Sequence, residues 1–266
     1  MVWPFMIASL ELRAVALRVP ALEPALDFYV RQLGFTPIGR EGASASLATA
    51  PDAAPLLTLR ADPAAQRPAD DAAGLFHAAL LLPTRSALGS WLRFAAAGDV
   101  DFDGFSDHGV SEALYLTDPF GNGLEFYADR PAAAWPRNAE GLAMTTLPLD
   151  WRHLLASASS AGPHPLGGAR WGHLHLRVTH LERSEAFYRK HLGLDVTQRS
   201  YPGACFLAAD GYHHHVAINT WGIPRRPRAP DSLGLVEATF AVAGTSNPPA
   251  SIVDPDGITL RLIPVA

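Results

Sequence analysis

The sequence predicts an α+β protein made of four tandem βαβββ modules, the last one shortened. Three observations carry this. Residues 15–35, VALRVPALEPALDFYVRQLGF, match residues 174–194, LHLRVTHLERSEAFYRKHLGL, in one register. Phe28 and Phe187, Val19 and Val178, and Gly34 and Gly193 all stand 159 positions apart, so the chain repeats in two halves. Each copy runs from alternating apolar residues into apolar residues at helical spacing, the change of period that marks a strand feeding a helix. A turn of the form Asp-Pro-x-Gly then occurs twice, at 118–121 and 254–257, each time before a closing apolar strand.

The elements follow in order. Ala14–Val19 and His173–Val178 alternate and read as strands with one buried face. The helices after them stop at Gly34 and Gly193, residues suited to a helix C-terminus. Ser44–Ala48 and Pro55–Arg60 are strands in the first copy, Ala204–Ala208 and His213–Thr220 in the second. A second unit has a strand at Leu75–Leu82, a helix at Ser86–Ala97, and strands at Ser111–Thr117 and Gly123–Tyr127. Near the end, Leu235–Val242 and Ile258–Ile263 are strands. The few residues between Val242 and Ser251 leave no room for a proper helix. The modules are thus expected at about 10–62, 74–130, 170–222 and 232–266. This suggests a first domain over 1–130, a linker over 131–169 with a short helix at Leu149–Ala156, and a second domain over 170–266. Gly222–Ser232, with three prolines, is expected to be an exposed loop or lid.

Composition removes several classes. Of 266 residues, 48% are hydrophobic and 18% charged, which describes a globular chain and not a disordered one. The net charge of −5 and the lack of a basic run argue against nucleic acid. One cysteine, Cys205, excludes a disulfide framework and a cysteine-based zinc site. No apolar run is long enough for a membrane span, and Met1–Leu10 lacks the basic residues and cleavage site of a signal peptide, so a cytoplasmic protein is expected. GxGxxG after a strand, GxxxxGK[ST] and GxSxG are all missing. Eleven histidines are many for this length, and those on predicted strands invite a metal reading.

Tandem βαβββ modules with FYxxxLGF-like and DPxGxxLE-like signatures resemble the vicinal oxygen chelate superfamily, which includes glyoxalase I, extradiol ring-cleaving dioxygenases and bleomycin-sequestering proteins. The stretches FHAALLLPTR, SDHGVSEALYLTDPFGNGLEFYADRP, GHLHLRV and GYHHHVAINTW look like its catechol 2,3-dioxygenase-like branch. The resemblance implies two half-open barrels, with metal ligands early in the first strand and in the last strand of a module. Those positions are His77 and Glu125 in the second module, and His173 and His215 in the third. Imidazoles with a carboxylate suit divalent iron, with manganese, zinc or nickel as alternatives. The first module offers Ala14 and no ligand in its last strand; the fourth offers Glu237 and Arg261. Ligand-type residues are therefore concentrated in modules two and three, which are expected to share one cavity. The competing arrangement pairs three with four and builds the site from His173, His215 and Glu237.

Strand alternation would turn His173 with His175, and His213 with His215, towards one face, leaving His214 pointing away. His108, in Ser106-Asp107-His108, and His213 are candidates for proton transfer. Tyr127, two residues beyond Glu125, could hydrogen-bond a bound substrate. The expected function is a metal-dependent extradiol dioxygenase opening a catechol-like aromatic diol. The alternatives are a glyoxalase-like isomerase and a non-catalytic small-molecule binder. The expected partner is a small aromatic substrate, with neither nucleic acid nor membrane, and a homo-oligomer is compatible with this reading.

Overall fold

The computed structural model describes residues 9–159, 164–244 and 248–265. The N-terminal stretch that bears on the signal-peptide expectation lies almost wholly outside them, as do three residues of the segment expected to be too short for a helix.

Two large sheets, with one small two-stranded pair beside them, form the described molecule, and neither large sheet follows the halves of the chain. The first module contributes β1 (Ser9–Val19), β2 (Thr36–Glu41), β3 (Ser44–Ala48) and β4 (Leu57–Ala61). The second contributes β5 (Gly74–Leu81), β6 (Gly104–Asp107), β7 (Ser111–Thr117) and β8 (Gly123–Asp129). After the short strands β9 (Arg137–Asn138), β10 (Gly141–Leu142) and β11 (Leu147–Pro148) comes the third module, with β12 (Arg170–Arg177), β13 (Asp195–Gln198), β14 (Ala204–Ala208) and β15 (Val216–Asn219). The fourth has β16 (Gly234–Ala243), β17 (Ser251–Val253) and β18 (Thr259–Pro264), with no helix among its described residues.

One sheet runs β17-β18-β16-β1-β4-β3-β2 and the other β11-β6-β7-β8-β5-β12-β15-β14-β13. Modules one and four thus share the first sheet, and two and three the second. In every module the first strand lies parallel to the last, and modules join by antiparallel pairing of first strands, β1 with β16 and β5 with β12. The chain crosses between sheets twice, from β4 to β5 and from β15 to β16.

Helices cover the sheets. α1 (Leu22–Leu26) continues through a wider π-type turn to Gln32, followed by α2 (Arg85–Ala97), the short α3 (Trp151–Ala156) and α4 (Leu181–Leu192). Thr84 caps α2 by accepting from the Ala87 amide. Trp91 of α2 stacks on Phe126 of β8 with centroids 3.6 Å apart, and its Nε1 donates to the Leu33 carbonyl. The linker is not a free strap: β11 pairs with β6 and extends the second sheet.

The two sequence signatures meet in space. Tyr29 of the first FY pair donates to Asp118 of the first turn at 2.8 Å, and Tyr188 of the second donates to Asp254 of the second turn at 2.8 Å. Both tyrosines are fully buried. Asp118 also accepts from the Phe120 and Asn122 amides, and Asp254 from those of Asp256 and Ile258. These motifs therefore lock a helix of one module onto the turn of the next. Removing a buried hydrogen bond to a charged group costs about 1.5–3 kcal/mol. Tyr188→Phe should lower stability by that amount in urea titration, with Tyr29→Phe adding its own increment because the two share no partner. A loss below 0.5 kcal/mol, on the order of a surface change, would mean that the hydroxyls do not hold the turns.

Candidate metal centre

β5, β8 and β12 lie side by side and present three donors to one point. Nε2 of His77 on β5 is 3.0 Å from Oε2 of Glu125 on β8, and Nε2 of His173 on β12 is 3.2 Å from the same oxygen. All three side chains are buried, and their donor atoms lie within 4.8 Å of one another. Burial opposes the charge on Glu125, but the facing imidazoles outweigh it and hold the carboxyl well below its usual range. Burial also lowers His173 to about 4, against the pull of Glu125. Two donors about 2.1 Å from one ion and at right angles to each other stand about 3 Å apart. The spacings found match the edges of such a polyhedron, and two neutral imidazoles with one carboxylate suit a divalent ion.

This group walls a cavity of about 390 Å³, a volume suited to a small organic molecule. Phe76, Phe206, Tyr201 and Trp221 supply aromatic surface. Met144, Thr145 and Thr146 of the linker close part of it. Gln198 fixes them there, accepting from the Met144 amide at 2.7 Å and donating to its carbonyl at 3.1 Å.

His108 also lines the cavity. Its Nδ1 donates to the Thr145 carbonyl at 2.6 Å, so its Nε2 accepts from the Tyr115 hydroxyl at 2.7 Å. Tyr115, which strand alternation did not single out, pairs across the β7–β8 hairpin with Glu125. Burial, then Glu125, raises its pKa well above 10. Folding the hairpin about Phe120 would have placed it in the sequence. His175 faces the cavity as expected. Asn219 accepts from the Trp221 amide through Oδ1, so its Nδ2 donates to His175 Nε2 at 2.8 Å.

The three histidines at 213–215 depart from the alternation expected of them. β15 begins only at Val216, so His213–His215 lie in an irregular approach where period two does not hold. His214 lines the cavity, its ring centroid 4.0 Å from that of His173. His213 sits behind it with Nε2 donating to Asp129 at 2.9 Å, which leaves Nδ1 to accept from Nδ1–H of His214 at 2.7 Å. His214 Nε2 is then the nitrogen with no protein partner among the described residues. His215 is outside the three-donor group: its Nδ1 accepts from the Ala209 amide, and burial lowers its pKa to about 3. Tyr127 is fully buried away from the cavity lining, its hydroxyl donating to Tyr212, which donates in turn to Asp129. It packs so tightly on Gly172 that a β-carbon there would lie 1.7 Å from its oxygen.

The first sheet has no comparable group among the described residues. Ala14 faces Thr239, and Glu237 pairs with Arg60 at 3.4 Å. Glu237 is thus in the other sheet from His173, and the competing His173–His215–Glu237 arrangement does not form. Cys205 is buried, which pushes its thiol up to about 12 with help from Glu185, far from a nucleophile's range.

Burial lowers the pKa of His173, His175, His214 and His215 alike. Between these values and about 6.5, the unfolded chain binds protons that the folded chain refuses, so stability rises with pH there. Chelator-treated protein should be most stable above about pH 6.5. It should lose up to about 1.4 kcal/mol per pH unit for each such histidine as pH falls towards 4. A urea midpoint flat from pH 7 to 5 would contradict this.

A family model described as the Glyoxalase/Bleomycin resistance protein/Dioxygenase superfamily matches residues 11–126 and 170–246. The chain belongs to this superfamily. It is 40% identical over 219 residues to catechol-2,3-dioxygenase of Bacillus subtilis (strain 168), a match covering 80% of this chain and 76% of that one. Solved structures of low sequence identity share the fold. Glyoxalase I from Zea mays has a TM-score of 0.58 at 16% identity, covering 96% of this chain and 92% of its own. The protein cppA from Streptococcus pneumoniae TIGR4 has 0.56 at 11% identity, covering 98% and 99%. Among the described residues no helix is long and apolar enough to cross a membrane.

Proposed function

We propose that the protein is an extradiol dioxygenase that opens a catechol-like aromatic diol beside its hydroxyls, with Fe(II) held by His77, Glu125 and His173. The observation that carries this is the convergence of two imidazoles and one carboxylate, and no fourth donor in the group, on a cavity of substrate size. Two-histidine, one-carboxylate sets leave coordination positions open and suit non-haem iron oxygenases. When bound, the metal would supply Lewis acidity towards the diol and a site for dioxygen.

The chain's own residues do the rest. Phe76, Phe206 and Trp221 give an aromatic ring apolar walls and limit water. His214 Nε2 carries a free lone pair at the cavity wall and is the group that takes a proton from a diol hydroxyl. Tyr115, whose hydroxyl proton goes to His108 and whose oxygen lies beside Glu125, is placed to accept from a hydroxyl of the substrate.

Protein purified without oxygen should carry stoichiometric iron and turn a catechol into a yellow ring-cleavage product. Zinc or nickel together with hemithioacetal turnover would instead favour a glyoxalase-like isomerase, and a metal-free protein inert with added iron would overturn the proposal.

A further inference from the structure

The two crossovers between the sheets are equivalent segments of the repeat, and they run side by side. The Arg226 amide donates to the Asp71 carbonyl at 2.9 Å, that of Ala73 to Arg226 at 2.8 Å, and that of Leu233 to Gln66 at 2.9 Å. Next to this seam is a second cavity of about 370 Å³. Arg67, Arg177, Arg225 and Arg228 line it, and Asp70 is its one acidic residue. In a chain with 21 basic and 26 acidic residues, this is a concentration against the overall charge.

The four guanidiniums have no carboxylate partner among the described residues. Ion pairs in the neighbourhood use other arginines, Arg18 with Asp62 and Arg226 with Asp71. The lining arginines donate to carbonyls instead: Arg177 to Leu75, Arg225 to Trp221 and Asp70, Arg228 to Leu235 and Ser232, and Arg67 to Pro119. Carbonyls orient a guanidinium but do not neutralise it. Arg225 Nε is buried with no acceptor. Arg177 and Arg228 are held below their usual pKa by burial, and further by the cations Arg225 and Arg18 respectively, with Asp254 opposing the shift at Arg228. Oriented guanidiniums with no carboxylate hydrogen-bonded to them recognise carboxylate and phosphate oxygens.

We propose that this cavity binds a small polyanion, a molecule carrying two or more carboxylate or phosphate charges, at a site that adjoins the metal-centre cavity and shares Arg177 and Gly121 with its wall but contains none of the three metal-donor residues. Its volume fits a small molecule. Its net excess of cations calls for more than one negative charge.

Isothermal titration of the full-length protein tests this with benzene-1,3,5-tricarboxylate and inorganic phosphate as probes, and benzoate as the singly charged control at matched ionic strength. These probes report on the cavity without requiring turnover, so the result is independent of the dioxygenase reading. At least one probe should bind with one-to-one stoichiometry and about tenfold tighter than benzoate, and which one does so separates carboxylate from phosphate ligands. Arg225→Gln with Arg67→Gln should weaken it by about tenfold or more. Arg67→Gln alone, on an exposed side chain that folding does not need, should weaken it by about threefold. No saturable heat from either probe, or equal affinity in parent and variants, overturns the proposal. The second result is what a tricarboxylate held at the metal would give.

Discussion

Glu125→Ala is expected to strip the protein of bound metal and reduce catechol cleavage to background. Glu125 is the single acidic member of the three-donor group, buried between two imidazoles, and burial lowers that of His173 to about 4. Without it, a divalent ion would face two neutral nitrogens in a site with no counter-charge. Loss of an outer partner to a metal ligand already costs about 10–100-fold in affinity, so loss of the carboxylate ligand should exceed about 100-fold. The fold should survive, because β8 is held on both sides by β7 and β5, and Ala79 already stands beside Glu125 on β5. Metal content by elemental analysis, far-UV circular dichroism and the ring-cleavage rate together decide the matter. A folded Glu125→Ala protein with full iron and full rate would remove the second module from the site. His77→Ala should behave in the same way.

Much of this was legible because repeats and strand positions are properties of local sequence. The offset between Phe28 and Phe187 exposes the modules, and the Asp-Pro-x-Gly turns place Glu125 four residues after Gly121. The pairing of modules two and three follows from where ligand-type residues are and are not: Ala14 and Arg261 disqualify the outer modules. A division of the chain into halves at 131–169 does not anticipate sheets that join the middle modules to each other and the outer ones to each other. Long-range pairing of β1 with β16 leaves no local trace. The linker's role in closing the cavity was hidden for the same reason, since Gln198 reaches Met144 across 54 positions. At His213–His215 the difficulty is local. These residues precede β15, where alternation does not hold, and one step of register exchanges the inward and outward faces. His215 then turns away from the three donors, and His214 takes the cavity wall.

His214→Gln is expected to leave the metal in place and lower kcat by about 10²–10⁴, the usual contribution of general acid–base catalysis. The reason lies in the hydrogen-bond chain behind it. Asp129 can only accept, so it takes Nε2–H of His213. His213 is left with a bare Nδ1, which accepts Nδ1–H of His214. His214 Nε2 is therefore unprotonated and free, and burial with the nearby imidazoles keeps the ring neutral by lowering its pKa well below 6.5. With its lone pair free at the cavity wall, that nitrogen is placed to accept a proton from a hydroxyl. Asp129→Asn should act through the same chain. The amide can donate to His213 Nε2, which moves the proton to Nδ1 and reverses the demand on His214. Its kcat should fall by less than that of His214→Gln, with the pH dependence of kcat displaced and the iron content unchanged. His215→Gln is the control. A side chain outside the donor group should leave iron binding near that of the parent, whereas a true fourth ligand would cost about tenfold or more in affinity. If His215→Gln loses iron while His214→Gln keeps full kcat, the roles of these neighbours are the reverse of those argued from their hydrogen bonds.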